Sequence, residues 1–359
     1  MAVKSKGQKR SDKVNEVYSK AFTQLYESFV DELTRSEKGD TIQPWLASPL
    51  NMQPINAKTG NFYKGINAVM LEQVVRKHTA ETGVCDNRFV AFGQAKELGL
   101  KMRKGSKSVP VLFYQTERSY EDVDQSTGEV KQVKQKLAAP RRIYHNVFHM
   151  SCFENAPPLP DLQDMQSPFE RSELVDKFLN QTGADIIHHD GDRCYYKISQ
   201  DKIYMVEPNR FQRIEDYYGV ALHEKIHSAG HESRLNIESL TGGDDPVLYA
   251  KDEIRAEIGA TMLLRKLHIS LPLKLDSDYI YKYLNDIPRE EQAEAFINGV
   301  YQASKSSDYL IEQSGMKPEI DAYEQQLSNA ITSDLTTALE AEREKDVKLS
   351  SENNSISIG

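Results

Sequence analysis

Apolar residues recur at three- and four-residue steps through 11–38, at Val14, Val17, Phe22, Leu25, Tyr26, Phe29 and Leu33, which is the spacing of one buried helix face. A polar stretch with prolines, IQPWLASPLNMQPINAKTGNFYKGIN, then predicts loop and turn around Asn56 and Gly60. Helical spacing resumes over 67–80 and 91–99. The period then drops to two at Val109, Val111 and Phe113, a strand fed by the basic turn KMRKGSK, with a hairpin tip at DQSTGEV and a return strand in RRIYHNVFHMSCF. ENAPPLPDLQDMQSPFER lacks apolar periodicity and is Pro-rich, so a linker is placed at 151–167. Beyond it the pattern predicts a helix over 168–181, two strands (CYYKIS and KIYMV), a helix carrying the histidines of 223–231, and further helices over 248–268 and 289–314. From 316 the chain is a polar tail whose last fifteen or so residues are expected to be disordered. The pattern as a whole is α+β in two domains, 1–150 (with a basic tail at 1–13) and 168–315.

Composition narrows the class. The chain has 359 residues, 39% hydrophobic and 28% charged, enough for two cores of ordinary size. Its apolar runs fall short of a membrane span, so no membrane partner is expected. No apolar run follows the basic N-terminus as a secretion signal requires. Cys85, Cys152 and Cys194 lack CxxC spacing, which points to a reducing cytoplasm and away from disulfides or a thiolate zinc site. The net charge of −9 is unevenly spread. Residues 1–150 hold 24 Lys and Arg against 16 Asp and Glu; the rest holds 21 against 38, so +8 faces −17. Only the first half has the balance to approach a polyanion.

The chemistry sits in VALHEKIHSAGHESR, residues 220–234. On a helix, His223 and His227 are one turn apart and share a face, so both imidazoles can grip one cation, while Glu224 can reach a water beside it. The alternative is a polar helix face with solvated histidines. Tyr217, Val220, Ala221 and Ile226 give the helix an apolar side to bury, and Gly230 is placed to end it. A hydrolytic zinc site needs a third protein ligand and an open position. The helix YAKDEIRAEIGATML offers Glu253 and Glu257 on one face, one as ligand and the other as its orienting neighbour, with Gly259 and Ala260 small enough for close helix approach. His231 competes for the third position but lies past Gly230, so it ranks below Glu253. His231, Arg234 and Tyr249 are kept as candidates for contacting substrate or an oxyanion.

With these residues in place the chain resembles the ArdC antirestriction family. LHEKIHSAGHESRL followed by YAKDEIRAEIGA is similar to that family's metallopeptidase pattern, HELxHxTGHxxRL followed by EELxAExxA. PINAKTGNFYKGINAVML, NRFVAFGQAKELGLKMRKGSKSVPVLFY and HNVFHMS are similar to its single-stranded-DNA-binding domain, which also occurs on plasmid-encoded primases. DRCYYKISQDKIYMVEPNRF and QASKSSDYLIEQ extend the likeness, which covers about 15–315. Lys225, Ser228 and Ala229 stand where the family often has leucine, tryptophan and threonine, and the 117–142 segment and the tail look like additions. The resemblance implies a DNA-binding domain joined to a zincin-like peptidase domain. It implies Glu253 as metal ligand with His223 and His227, and Glu257 as the supporting carboxylate.

The function this implies is metal-dependent peptide hydrolysis tethered to single-stranded DNA in an antirestriction role. Zn²⁺ is the expected cofactor, with another divalent cation such as Mn²⁺ as the alternative, and Glu224 is the catalytic base. The protein partner is an unidentified substrate or a host restriction enzyme. Binding strands without sequence preference needs cations and flat rings. Lys58, Lys64, Lys101, Arg103, Lys104 and Lys107 supply the cations, Trp45 and Tyr63 rings, and Asn67 a polar contact. The strand DKIYMV is the candidate edge on which a substrate pairs. The competing reading is a non-proteolytic protein that coats DNA, or mimics it with its acidic half, around a structural metal site.

Overall fold

The computed structural model describes residues 16–17, 19–24, 26–27, 30, 53–123, 130–159, 171–267 and 277–356. Trp45 and the hairpin tip at 124–129 lie outside them. The expected α+β class holds.

The first half is built on a sheet of order β1-β2-β4-β3. β1 (Ile55–Asn56) and β2 (Arg88–Ala91) are parallel and joined through helix α2 (Ile66–Thr82). After α3 (Phe92–Leu98), the long strands β3 (Val109–Val123) and β4 (Val130–His149) form an antiparallel ribbon, with β4 also antiparallel to β2. Alternation in β2 sends Phe89 to one face and Val90 to the other, because strand side chains have period two. Phe89 packs with Leu71 and Val75 of α2 and with Val109, Val111 and Val147. Val90 packs with Ala95, Met150 and Phe153, and with Leu335 and Leu339 from the far end of the chain.

Those two leucines correct the reading of the tail. Residues beyond 316 form a helix, α10 (Lys317–Ile356), and its Leu327 and Ile331 also close over Ile55. Apolar residues at 320, 327, 331, 335 and 339 keep one face at four- and seven-residue steps. A composition that looked polar in aggregate therefore carries a full apolar stripe. Two short strands of the first half, β1 and β2, were missed because two and four residues are too few to show a period.

The second half packs α4 (Arg171–Gln181), α5 (Ile214–Ala229), α7 (Pro246–Lys266), α8 (Ser277–Asn285) and α9 (Arg289–Gln313) on a sheet of order β5-β7-β6. Here β5 is Asp185–His189, β6 Tyr195–Lys197 and β7 Lys202–Val206. The sequence predicted only the last two. The third strand changes the role of β7: it is central, parallel to β5 and antiparallel to β6, so its backbone is paired on both sides. The edge expected of DKIYMV belongs instead to β6. α7 begins at Asp245, whose carboxylate accepts from Val247 N at 2.7 Å, with Pro246 in the first turn. It is buried on every side from Asp252 to Lys266, as suits a helix through the middle of a core.

The halves are joined by more than a linker. Phe22, Tyr26 and Val30 of α1, whose described residues are 16–17, 19–24, 26–27 and 30, lie in the core of the second half, with the Tyr26 ring 5.8 Å from that of Phe296. Glu72 of α2 forms a buried ion pair with Arg265 of α7. At the start of the expected linker, the carbonyls of Pro157 and Pro158 accept from the guanidinium of the buried Arg88, at 2.7 and 3.3 Å.

Candidate metal centre

α5 and α7 are held close by a missing side chain. A methyl group at Gly259 would lie 2.8 Å from Cγ2 of Ile226, so any larger residue would force Ile226 or the helices to shift. The contact brings the histidines of α5 to the carboxylates of α7. His223 Nε2 and His227 Nε2 are 3.0 Å apart, Glu253 Oε2 is 3.4 Å from the first, and Glu253 Oε1 is 3.7 Å from the second. One ligand atom from each of the three residues lies within 4.8 Å of the others. Tetrahedral coordination with bonds of ~2.0–2.2 Å sets ligand atoms roughly 3.3–3.6 Å apart, so the three fit one divalent cation.

The outer contacts reinforce the fit. Glu257 Oε2 lies 3.0 Å from His223 Nδ1, and Asp252 Oδ2 lies 2.6 Å from His227 Nδ1. With each Nδ1–H donating to a carboxylate, both Nε2 lone pairs point into the same space, an arrangement that a cation between them satisfies. Burial works against an imidazolium at His223, but Glu253 and Glu257 outweigh it and hold its pKa well above the ordinary histidine value. A proton would therefore compete with a bound cation for the same nitrogen. Burial would raise the Glu253 carboxyl, yet the hydrogen bond with His223 and the nearby His227 bring it below the usual range.

Asp252 was not singled out from the sequence. It is 3% exposed and carries the buried Arg255 at 2.8 Å and the hydroxyl of Ser239 at 2.7 Å in addition to His227. Burial alone would raise its carboxyl; the Arg255 charge and the His227 hydrogen bond hold it well below the usual range. Arg255 in turn donates to the Ile226 carbonyl at 2.7 Å and to Ser306 Oγ at 3.0 Å. The signal available was an Asp and an Arg three apart, a pairing distance, on a helix whose Ile254, Ile258 and Ala260 mark it for the core. Carboxylates there are too expensive to leave unpartnered.

Glu224 lies beside the histidines, 7% exposed, in the wall of a cleft of about 1090 Å³. Cys194, Tyr195 and Tyr196, at and beside β6, form one side of this cleft, and Tyr249, which hydrogen-bonds Glu253, lies on another. Two other substrate-contact candidates are elsewhere. His231 is in the turn after α5, its Nδ1 2.7 Å from the Ser233 hydroxyl, and does not line the cleft. Arg234 is a structural clamp: it donates to the Ser228 carbonyl at 2.6 Å and is paired with Asp201. Gly230 ends the helix and turns both side chains away.

The proposed DNA contacts divide in the same manner. Lys101, Arg103, Lys104 and Lys107 are exposed on the loop between α3 and β3, where Gly105 has a φ of 87° that other residues rarely adopt. Lys64 is exposed, and Lys58 is paired with Glu97. Tyr63 and Asn67 are interior, a correction to their reading as contacts. Tyr63 packs in the core, and the Asn67 amide is used up on Leu112, donating to its carbonyl at 2.7 Å and accepting from its N–H at 2.8 Å. Exposed rings are found instead at Phe92, Phe113 and Tyr114.

An HExxH helix against a glutamate helix, beside a small sheet with an edge strand at the cleft, defines a zincin-like metallopeptidase domain, and a family model of that description matches residues 173–298. The model of the N-terminal domain of anti-restriction factor ArdC matches residues 23–148, and the chain belongs to this ArdC-type, two-domain family. The antirestriction ArdC protein from the R388 plasmid superposes in its metal-free form with a TM-score of 0.58 at 28% identity. Its Mn(II)-bound form gives 0.59 at 27%, and both cover 81% of this chain and 98% of that one. A DNA primase TraC of Escherichia coli is 29% identical over 299 residues, 80% of this chain. The chain spans only 27% of that primase's length. The uncharacterized protein y4eC of Sinorhizobium fredii is 25% identical, over 72% of this chain and 80% of its own. Among the described residues no helix is long and apolar enough to cross a membrane.

Proposed function

We propose that this protein is a metal-dependent peptide hydrolase that works on single-stranded DNA, in an antirestriction role. The observation that carries the reading is the convergence of His223, His227 and Glu253 on one point, with Glu224 beside them in an open cleft. Such a donor set suits Zn²⁺ and accepts Mn²⁺, the ion bound by the R388 relative. When bound, the cation would polarise a peptide carbonyl and acidify water in the cleft. Glu224 takes the proton from the attacking water and delivers it to the departing amine. Tyr249 lines the cleft and hydrogen-bonds Glu253, holding that carboxylate in position. The free edge of β6 aligns an extended chain by backbone pairing.

The strand-binding role rests on the basic loop of 101–107 together with the exposed rings Phe113 and Tyr114, since unspecific binding of single strands takes cations and stacking faces. Holding DNA and cleft in one body raises the local concentration of proteins on the same strand. Metal content, single-strand binding and protein cleavage, measured together on wild type, His227→Ala, Glu253→Ala and Glu224→Gln, test the reading. The first two variants should lose metal and keep DNA binding; Glu224→Gln should keep both and lose at least about 100-fold in cleavage. If Glu224→Gln still protects DNA from restriction as well as wild type does, the coating or mimic reading replaces this one.

A further inference from the structure

The cleft is one-sided in charge. Among the described residues seven carboxylates line it, and neither Lys nor Arg does. Four belong to the centre: Glu253 faces both imidazoles, Glu257 holds His223, Asp252 is offset by Arg255, and Glu224 is the base. The other three are Asp216 in the first turn of α5 and Asp244 and Asp245 before α7. Among the described residues none of these three makes an ion pair, although Asp245 also caps α7 with one oxygen. A divalent cation offsets Glu224 and Glu253 and leaves the rim negative.

A second, separate feature of the same walls has the same preference. Tyr249 is 58% exposed and Tyr195 43%, and both line the cleft. Tyr249 is braced edge-on by Tyr283, with ring centroids 5.9 Å apart. Ring faces beside carboxylates suit ammonium and guanidinium groups. The edge of β6 adds a backbone template, so the occupant is a polypeptide and not a free amine. Phosphates are repelled by the same rim, which keeps the DNA strand itself out of the cleft.

We propose that this cleft selects a cationic polypeptide segment, rich in Lys and Arg, and that Asp216, Asp244 and Asp245 are its specificity-determining residues. The inference rests on the peptidase reading for its consequence, cleavage within or beside basic segments, while the binding preference can be measured without turnover. Proteins seated on DNA present such segments, because neutralising phosphates requires them.

Full-length Glu224→Gln protein, loaded with Zn²⁺, is titrated into fluorescein-labelled extended peptides of equal length that are Lys/Arg-rich, neutral or Asp/Glu-rich. The basic peptide should bind about tenfold tighter than the neutral one, and the acidic peptide more weakly than either. Adding Asp216→Asn, Asp244→Asn and Asp245→Asn should erase most of that difference, since asparagine also caps a helix. The pair Asp216→Asn with Asp244→Asn leaves the cap untouched and should remove about half of it. Equal affinity for all three peptides, or a preference that survives in both sets of variants, overturns the proposal. Wild-type protein is tested for hydrolysis of the same peptides: cleavage with no charge preference sinks the specificity and leaves the peptidase, whereas charge-selective binding with no cleavage sinks the peptidase and leaves the specificity.

Discussion

Asp252 Oδ2 lies 2.6 Å from Nδ1 of His227, and the same carboxylate holds the fully buried guanidinium of Arg255. The pair fixes the tautomer of one proposed metal ligand from behind. Asp252→Asn keeps the shape and removes the charge. Metal affinity should fall about 10- to 100-fold, as it does when an orienting partner is lost. Titration with a competing chelator measures this; unchanged affinity would mean that the imidazole is oriented by packing alone.

Gly259 and Ile226 set the distance between α5 and α7. Gly259→Ala brings a methyl group to within 2.8 Å of Ile226, so the helices must separate or Ile226 must move. Overpacking of this kind costs about 1–3 kcal/mol. Urea denaturation should show that loss together with weaker metal binding, because Glu253 rides on the displaced helix. Adding Ile226→Ala should recover part of both, and a neutral Gly259→Ala would show that the approach is looser than drawn.

Glu72 and Arg265 join the two halves of the molecule through a buried ion pair. Truncating one partner leaves an uncompensated charge, at a cost of about 3–5 kcal/mol. Glu72→Ala should therefore destabilise both halves in one cooperative transition, followed by tryptophan-independent probes such as far-UV circular dichroism. Two separated transitions already in the wild type would show that the halves are independent.

Lys225 is 1% exposed inside the HExxH helix and donates to the carbonyls of Thr182 and, at 2.7 Å, Ala184. Burial pulls its ammonium from 10.5 down to about 8. The sign follows from the charged form being the one penalised: the cost is fully present below pH 8 and is relieved as pH rises from there towards 10.5. Wild type should gain up to about 3 kcal/mol relative to Lys225→Met between pH 7 and pH 10.5. Parallel stability curves for the two proteins over that range would contradict it.

The grouping of these side chains was legible in the sequence because its determinants are local. One helical turn separates His223 from His227 and Glu253 from Glu257, and helix geometry alone places each pair on a face. Gly259 marked the close approach of the two helices in the sequence itself. Asp252 was not legible: it lies next to Glu253 in sequence but on another side of α7, and only the path of α5 turns it into a partner for His227. The clamp role of Arg234 depends likewise on Asp201, which a separate loop delivers.

For the fold, the helices with sustained periods were fixed by the sequence, from α5 and α7 to α9. Short strands carry little pattern: CYYKIS and KIYMV were legible, but β1, β2 and β5 appeared only when neighbouring strands supplied their hydrogen bonds. That is why β7, apparently an edge, became a centre. The tail shows the same division. Its apolar residues were always present at helical spacing, but what they bury is a face of the first domain more than two hundred residues away. Local spacing specifies a helix and its sticky face; only long-range packing specifies which surface that face will cover.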